Sequence, residues 1–354
     1  MSKRIKPFLI LAVGLALAYF FVRRLDWEQV SLHLRGARVW PLLLGAVLIN
    51  LTLLARSLRW RALLAPIAPV TLGHVFAATS IGFGSVFIVG RAGEIVRPMV
   101  LSLRERLRAS ATIATILIER LYDTTAVVGL FAVNLLFLRL PAASGAEPQT
   151  LGSIRTLGLL LSVGVAAGIA AMVLLRLRAE GLISWLERRT RRLPPQLVRP
   201  ILNLIRHLAD GLSVLLDLRE LLLTSAYTAL VWGLVILSHW LVFSAFNLDF
   251  SLSEVIFVLG FGLVGSVVPT PGGSAGAYHA AAAAGLIFLG LERNLAASVA
   301  IVLHLVSFGP PFLLGLYFLV RDGVGFGQLR EMVAHERAGE QPPNGRGQQS
   351  QPIV

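Results

Sequence analysis

The chain of 354 residues has no cysteine, so disulfides, thiolate metal centres and cysteine nucleophiles are excluded. Lysine is nearly as scarce: of 32 basic residues only Lys3 and Lys6 are lysine, and the rest are arginine. A Walker A loop needs a lysine against its phosphates, and pyridoxal or Schiff-base chemistry needs one inside the fold, so neither fits the body of the chain. There is also no HExxH zinc helix and no Asp-x-Asp metal pair. Charge of either sign is short, at 14% of residues against ~25% in soluble domains. No metal or cofactor is expected, and the residues give no positive sign of an enzyme.

Apolar residues fill the gap, at 56% of the chain with a mean hydropathy of +0.75. Such a composition leaves too little polar surface to cover a soluble core, and its long apolar runs lack the alternation of barrel strands. The expected fold is an all-α polytopic membrane protein. The net charge of +13 comes without a nucleic-acid-binding module, so it is read as the basic flanking of membrane spans and no nucleic acid is expected.

Six runs read as full spans: residues 7–22, 39–55, 109–138, 156–175, 221–248 and 294–320. The first follows a basic start and lacks a small-x-small cleavage site before Arg23, which favours a retained anchor over a signal peptide. Two more runs are uncharged but broken. Residues 62–90 carry Pro66 and Pro69 early and glycines late, and residues 255–291 are interrupted at Pro269-Thr-Pro-Gly-Gly273. Both are expected to be re-entrant or broken hairpins. Residues 176–219 carry nine arginines with helically spaced leucines and read as cytoplasmic amphipathic helices.

With the amino terminus inside and both broken segments re-entering, 24 basic residues fall on cytoplasmic segments, at 1–6, 56–61, 91–108, 176–219 and 321–346, and 7 outside. Both termini are then cytoplasmic. The order span, hairpin, span occurs at 39–138 and again, inverted, at 221–320, an arrangement common among alternating-access transporters. Residues 1–330 form one transmembrane domain on this reading, and 331–354 form a disordered polar tail.

Three clusters carry chemistry. In Gly90-Arg-Ala-Gly-Glu-Ile-Val-Arg97 the side chains of Arg91, Glu94 and Arg97 share a helical face. Two guanidiniums steadied by a carboxylate suit a lipid phosphate, and the same spacing suits an ion-paired turn. Glu119, Arg120 and Asp123 lie inside a span, where charge is costly unless it lines a polar path or fixes packing. In the third, Pro269, Pro271, Gly272, Gly273, Gly276 and His279 surround a break that exposes backbone and reads as a gate. His279 suits proton carriage, phosphate binding or simple packing, as does any lone histidine in a span.

Four ordered motifs, Arg56-Ser-Leu-Arg-Trp-Arg61, Gly90 to Arg97, Glu119-Arg-Leu-Tyr-Asp123 and Pro269 to Gly273, resemble the flippase-like transmembrane family of lysylphosphatidylglycerol synthases over roughly residues 5 to 325. Bifunctional members join this region to a soluble aminoacyl transferase, which this sequence lacks. The resemblance therefore implies lipid translocation without lysyl transfer, in a bacterial inner membrane. Two positions depart from the family pattern. Val89-Gly90 replaces a proline before the Arg-x-Gly-Glu motif, and Tyr278-His279 stands where a glutamate often follows Pro-Gly-Gly.

The expected partners are anionic phospholipids or polyprenyl phosphate-linked lipids. Arg91, Glu94 and Arg97 would bind the phosphate, Glu119, Arg120 and Asp123 would line the path, and the Pro269 break would gate it. Two alternatives stand beside this. One is a non-transporting subunit that presents lipid to a separate glycosyl or aminoacyl transferase through the basic 176–219 segment. The other, more distant, is an intramembrane enzyme using Glu119, Asp123 and His279.

Overall fold

The computed structural model describes residues 19–89, 93–138, 148–190 and 218–323, apart from 20, 24, 108, 269 and 270, together with positions 198 and 202. The described residues form ten helices: α1 (Trp27–Gly36), α2 (Val39–Leu64), α3 (Leu72–Val89), α4 (Gly93–Glu105), α5 (Ala109–Phe137), α6 (Pro148–Arg189), α7 (Leu218–Ala245), α8 (Leu252–Ser266), α9 (Pro271–Phe288) and α10 (Arg293–Arg321). Among the described residues, four stretches are long and apolar enough to cross a bilayer: α2, Gly152–Ala171 within α6, α7 and α10. The chain is an all-α polytopic membrane protein.

Local chemistry sets the helix ends. Pro66 and Pro69 follow α2, where a proline removes a backbone donor and turns its predecessor away from helix. Ser251 and Glu254 form a capping box at the start of α8. Just after the second arm of that hairpin, the Glu292 carboxylate caps α10 by accepting from the backbone N–H groups of Asn294 (2.8 Å) and Leu295 (3.0 Å). The Asn294 amide hydrogen bond holds this carboxyl below its ordinary value of 4.5. Asn294 Oδ1 also accepts from the N–H of Asp26, which itself caps α1, so the amino termini of α1 and α10 are joined through side chains.

The helices pack as two hairpins held among longer helices. α3 and α4 form one hairpin, and α8 and α9 the other. α2 lies along α7 as the most extensive helix pair, while α10 packs on α3 and α5 packs on α8. Exchanging residues 39–138 with 221–320 would leave these pairings unchanged, although α9 also touches α3 and the α4–α8 pair has no comparable contact. One apolar core gathers Val242, Phe243, Phe257, Leu286 and Leu303, and a second gathers Trp60, Leu64, Ile81, Met99 and Leu101.

Small residues allow the closest approach. A Cβ on Gly315 of α10 would stand 2.4 Å from the Ser80 carbonyl oxygen and 2.7 Å from Gly84 Cα on α3, so these backbones touch directly. In lipid, where burying apolar side chains against one another gains little over burying them in acyl chains, such backbone contact is a main source of helix association.

Three segments differ from the sequence reading. α2 continues through Arg56, Arg59 and Arg61 instead of ending before them, and no proline or glycine interrupts it there. Residues 93–105, expected as a cytoplasmic segment, fold back on α3 as the second arm of the first hairpin, with their apolar face buried. α6 runs uninterrupted to Arg189, so the 176–219 segment begins as an extension of a span. At ~1.5 Å per residue its 42 residues reach ~63 Å, about twice the hydrocarbon thickness. The first span at 7–22 lies largely outside the described residues, and the tail lies wholly outside them.

Candidate functional site

Two of the sequence clusters meet in one place. On α5, Glu119 and Asp123 are four residues apart and face α2, where Arg56 and Arg59 are three apart. Arg56 Nη1 donates to Asp123 Oδ2 and Arg59 Nη1 donates to Asp123 Oδ1, each at 2.7 Å, so one carboxylate engages two guanidiniums. Arg59 Nη1 also donates to Thr228 Oγ1 on α7 at 2.8 Å. From α4, Arg97 Nη1 donates to Glu119 Oε1 at 2.8 Å. Arg59 Nη2 lies 3.1 Å from that same oxygen, within ion-pair distance but without hydrogen-bond alignment.

Aromatic faces complete the enclosure. The Arg97 guanidinium lies over Trp60 at 4.0 Å, and Arg56 lies over Phe83 at 5.3 Å and Trp232 at 6.0 Å. Trp60 is fixed by its indole N–H, which donates to Thr115 Oγ1 at 2.9 Å. Arg97 reaches this position because α3 carries Gly82 opposite it; a Cβ there would meet Arg97 Cβ at 2.6 Å. Arg59 and Glu119 are fully enclosed, and Arg56, Arg97 and Asp123 are buried.

The charge does not cancel. Among the described residues, three buried arginines, Arg56, Arg59 and Arg97, face two buried carboxylates, Glu119 and Asp123, which leaves one cation in excess. Arg97 Nε and Nη2, Arg59 Nε and Glu119 Oε2 are buried without a hydrogen-bond partner. Uncompensated donors in a low-dielectric interior are costly, and an anion oxygen would satisfy them. The arrangement can accept a phosphate or carboxylate by charge-assisted, planar hydrogen bonding.

The expected residues divide as follows. Arg97, Glu119 and Asp123 belong to this buried cluster. Arg120 and Glu94 pair with each other at 3.3 Å on a half-exposed rim, so Glu94 steadies Arg120 rather than Arg97. Arg91 lies outside the described residues. Arg56 and Arg59 were assigned to a cytoplasmic boundary, yet they are interior. The signal that would have found them is the i, i+3 pair on one helix matching the i, i+4 carboxylates that another span must neutralise.

The second half holds the break. Pro269, Thr270 and the Pro271 side chain lie outside the description, but Gly272, Gly273 and Ser274 are all left-handed, with φ of 70°, 64° and 63°. Glycine accepts this geometry freely, whereas Ser274 holds it because its Oγ bonds to the Val268 carbonyl (2.6 Å) and Ser266 carbonyl (3.2 Å). Gly276 is buried one turn further along α9. His279 meets His304 of α10 ring to ring at 4.6 Å and stacks on Phe21 at 5.5 Å.

Gly272-Gly273-Ser274-Ala275-Gly276 also has the Gly-x-Ser-x-Gly spacing of hydrolase elbows, a correction to the reading of a chain without catalytic motifs. Its setting between two helices is not the strand-to-helix turn of that elbow, and Ser274 Oγ is engaged with helix-end carbonyls. Ser274→Ala is therefore expected to cost about 1–3 kcal/mol of stability through the two stranded carbonyls. Thermal unfolding in detergent checks this, and unchanged stability would reopen a nucleophilic role.

Taken together, the helices and the enclosed ion cluster define a multi-pass membrane protein with a polar centre built from α2, α4 and α5. The family model of the lysylphosphatidylglycerol synthase TM region matches residues 8–315, and the chain belongs to that family. No curated protein matches the chain in sequence.

Proposed function

We propose that this protein moves an anionic, phosphate-bearing lipid between the leaflets of the membrane, with the arginine cluster holding the phosphate. The observation that carries this reading is the enclosed excess cation with unpartnered guanidinium nitrogens on Arg59 and Arg97. A purely structural ion cluster would be expected to balance its charges, since each unpaired buried charge is expensive. Family membership supports a role at membrane lipids, and the exchange-symmetric packing of 39–138 and 221–320 supports alternating access.

On this reading Arg97 and Arg59 receive the phosphate, and Arg91, whose place lies outside the described residues, is expected to share it. Glu119 and Asp123 hold the guanidiniums in place, and the Arg120–Glu94 pair guards the rim. A bacterial inner-membrane location with both termini cytoplasmic completes the proposal. The break at 269–276 gates the opposite side.

The test is lipid exchange in proteoliposomes of the purified protein, with labelled phospholipids and polyprenyl phosphates, with and without a proton gradient. Loss of one charge-assisted contact to phosphate, about 1.5–3 kcal/mol, predicts a roughly ten- to hundred-fold slower exchange for Arg97→Gln that still folds. Absence of exchange by the wild type under every condition would sink the reading and favour the lipid-presenting subunit.

A further inference from the structure

The histidine pair on α9 and α10 is separate from the arginine cluster and is not used by the phosphate reading. His304 Nε2 lies 3.2 Å from the carbonyl oxygen of Gly273, the middle residue of the left-handed turn. A carbonyl only accepts, so Nε2 carries the hydrogen and, in the neutral ring, Nδ1 is bare. His279 Nε2 is buried and has no hydrogen-bond partner. Phe308 stacks on His304 at 4.8 Å, Tyr278 lies at 5.3 Å and Phe87 of α3 at 6.4 Å.

We propose that His279 and His304 form a proton-binding site that controls opening of the Gly272–Ser274 turn. His304 grips the turn through Gly273, His279 lies on the helix that the turn begins, and their rings touch. In the neutral state the pair is packed among aromatic rings. A proton on either imidazole places a cation in that cage with one ring nitrogen in need of a new partner. Relief comes either from sharing the proton between the rings or from admitting water by opening the turn.

Tyr278 is the titratable side chain whose ring meets the pair. Several charged and titratable groups of the surrounding helices are engaged elsewhere. Glu254 of α8 closes its own capping box, and His74 of α3 pairs with Glu105. Arg56 and Arg59 of α2 hold the buried carboxylates, and His239 Nδ1 of α7 bonds to the Val235 carbonyl. α1 contributes Glu28, His33 and Arg35, and α10 itself carries Arg293, Tyr317 and Arg321 near its ends. In the segment that supplies Phe21, Arg23 lies over the Tyr19 ring. Imidazole is the side chain whose ordinary titration falls within the physiological range, so this site would read pH where its carboxylate, arginine and tyrosine neighbours do not. The proposal stands whether or not the protein moves lipid.

Hydrogen exchange of residues 262–288 in nanodiscs, measured between pH 8 and pH 5 and corrected for intrinsic exchange chemistry, tests it. If opening takes up one proton, the opening equilibrium rises about ten-fold per pH unit across the titration. His304→Gln keeps an N–H for Gly273, and His279→Gln removes the other ring. Each is expected to abolish the pH response, while His239→Gln keeps it. A wild type whose protection is independent of pH overturns the proposal without any variant. So does a full pH response in both glutamine variants.

Discussion

Glu119→Gln is expected to destabilise the protein by about 3–5 kcal/mol, the range seen when one partner of a buried ion pair is removed. Glu119 Oε1 accepts from Arg97 and lies against Arg59, and both guanidiniums are buried. The amide keeps the shape and removes the charge. Three arginines would then share Asp123 alone. Thermal or denaturant unfolding in detergent would report the loss. A second change, Arg97→Met, should recover part of it, because it returns the cluster to the wild-type excess of one cation and leaves an apolar stem against Trp60. If Glu119→Gln unfolds like the wild type, the cluster is hydrated or already neutralised, and the argument for an excess cation falls.

Gly315→Val is expected to cost about 3 kcal/mol or more, at or beyond the upper end for an overpacked core. The added atoms would meet the Ser80 carbonyl and the Gly84 backbone, which cannot rotate away as a side chain could. α10 and α3 would have to separate, loosening Phe318 and Leu319 from the second core. Gly315→Ala should show a smaller shift in the same direction. Equal stability of the alanine and valine variants would mean that the two helices already sit apart.

Much of this architecture was legible because a bilayer makes hydropathy decisive. The spans at α2, α7 and α10 and the break after Ser266 follow from apolar run length and from Pro-Gly-Gly. α4 was not expected as an arm of the hairpin because its charges read as a cytoplasmic segment, whereas one face of it is buried and Arg97 pairs with Glu119 of a different helix. The same reason hid Arg56 and Arg59: a charge census along the chain treats every arginine near a span as a boundary marker. Glu119 and Asp123 were singled out as costly charges within a span, and Arg97 as part of a phosphate-binding or ion-paired turn, but spacing within one helix cannot name partners on another. Nor can it bring His304 to His279, which are joined only by tertiary packing.

The bare crossing of Gly84 and Gly315 anchors α3 between the two clusters. Backbone meets backbone there, which sets the distance between α3 and α10. Phe83, against Arg56, is one residue from that crossing and Phe87, against His304, is three, or ~1.5 Å and ~4.5 Å along the axis. One short stretch of a single helix therefore supplies an aromatic wall to both the arginine cluster and the histidine pair.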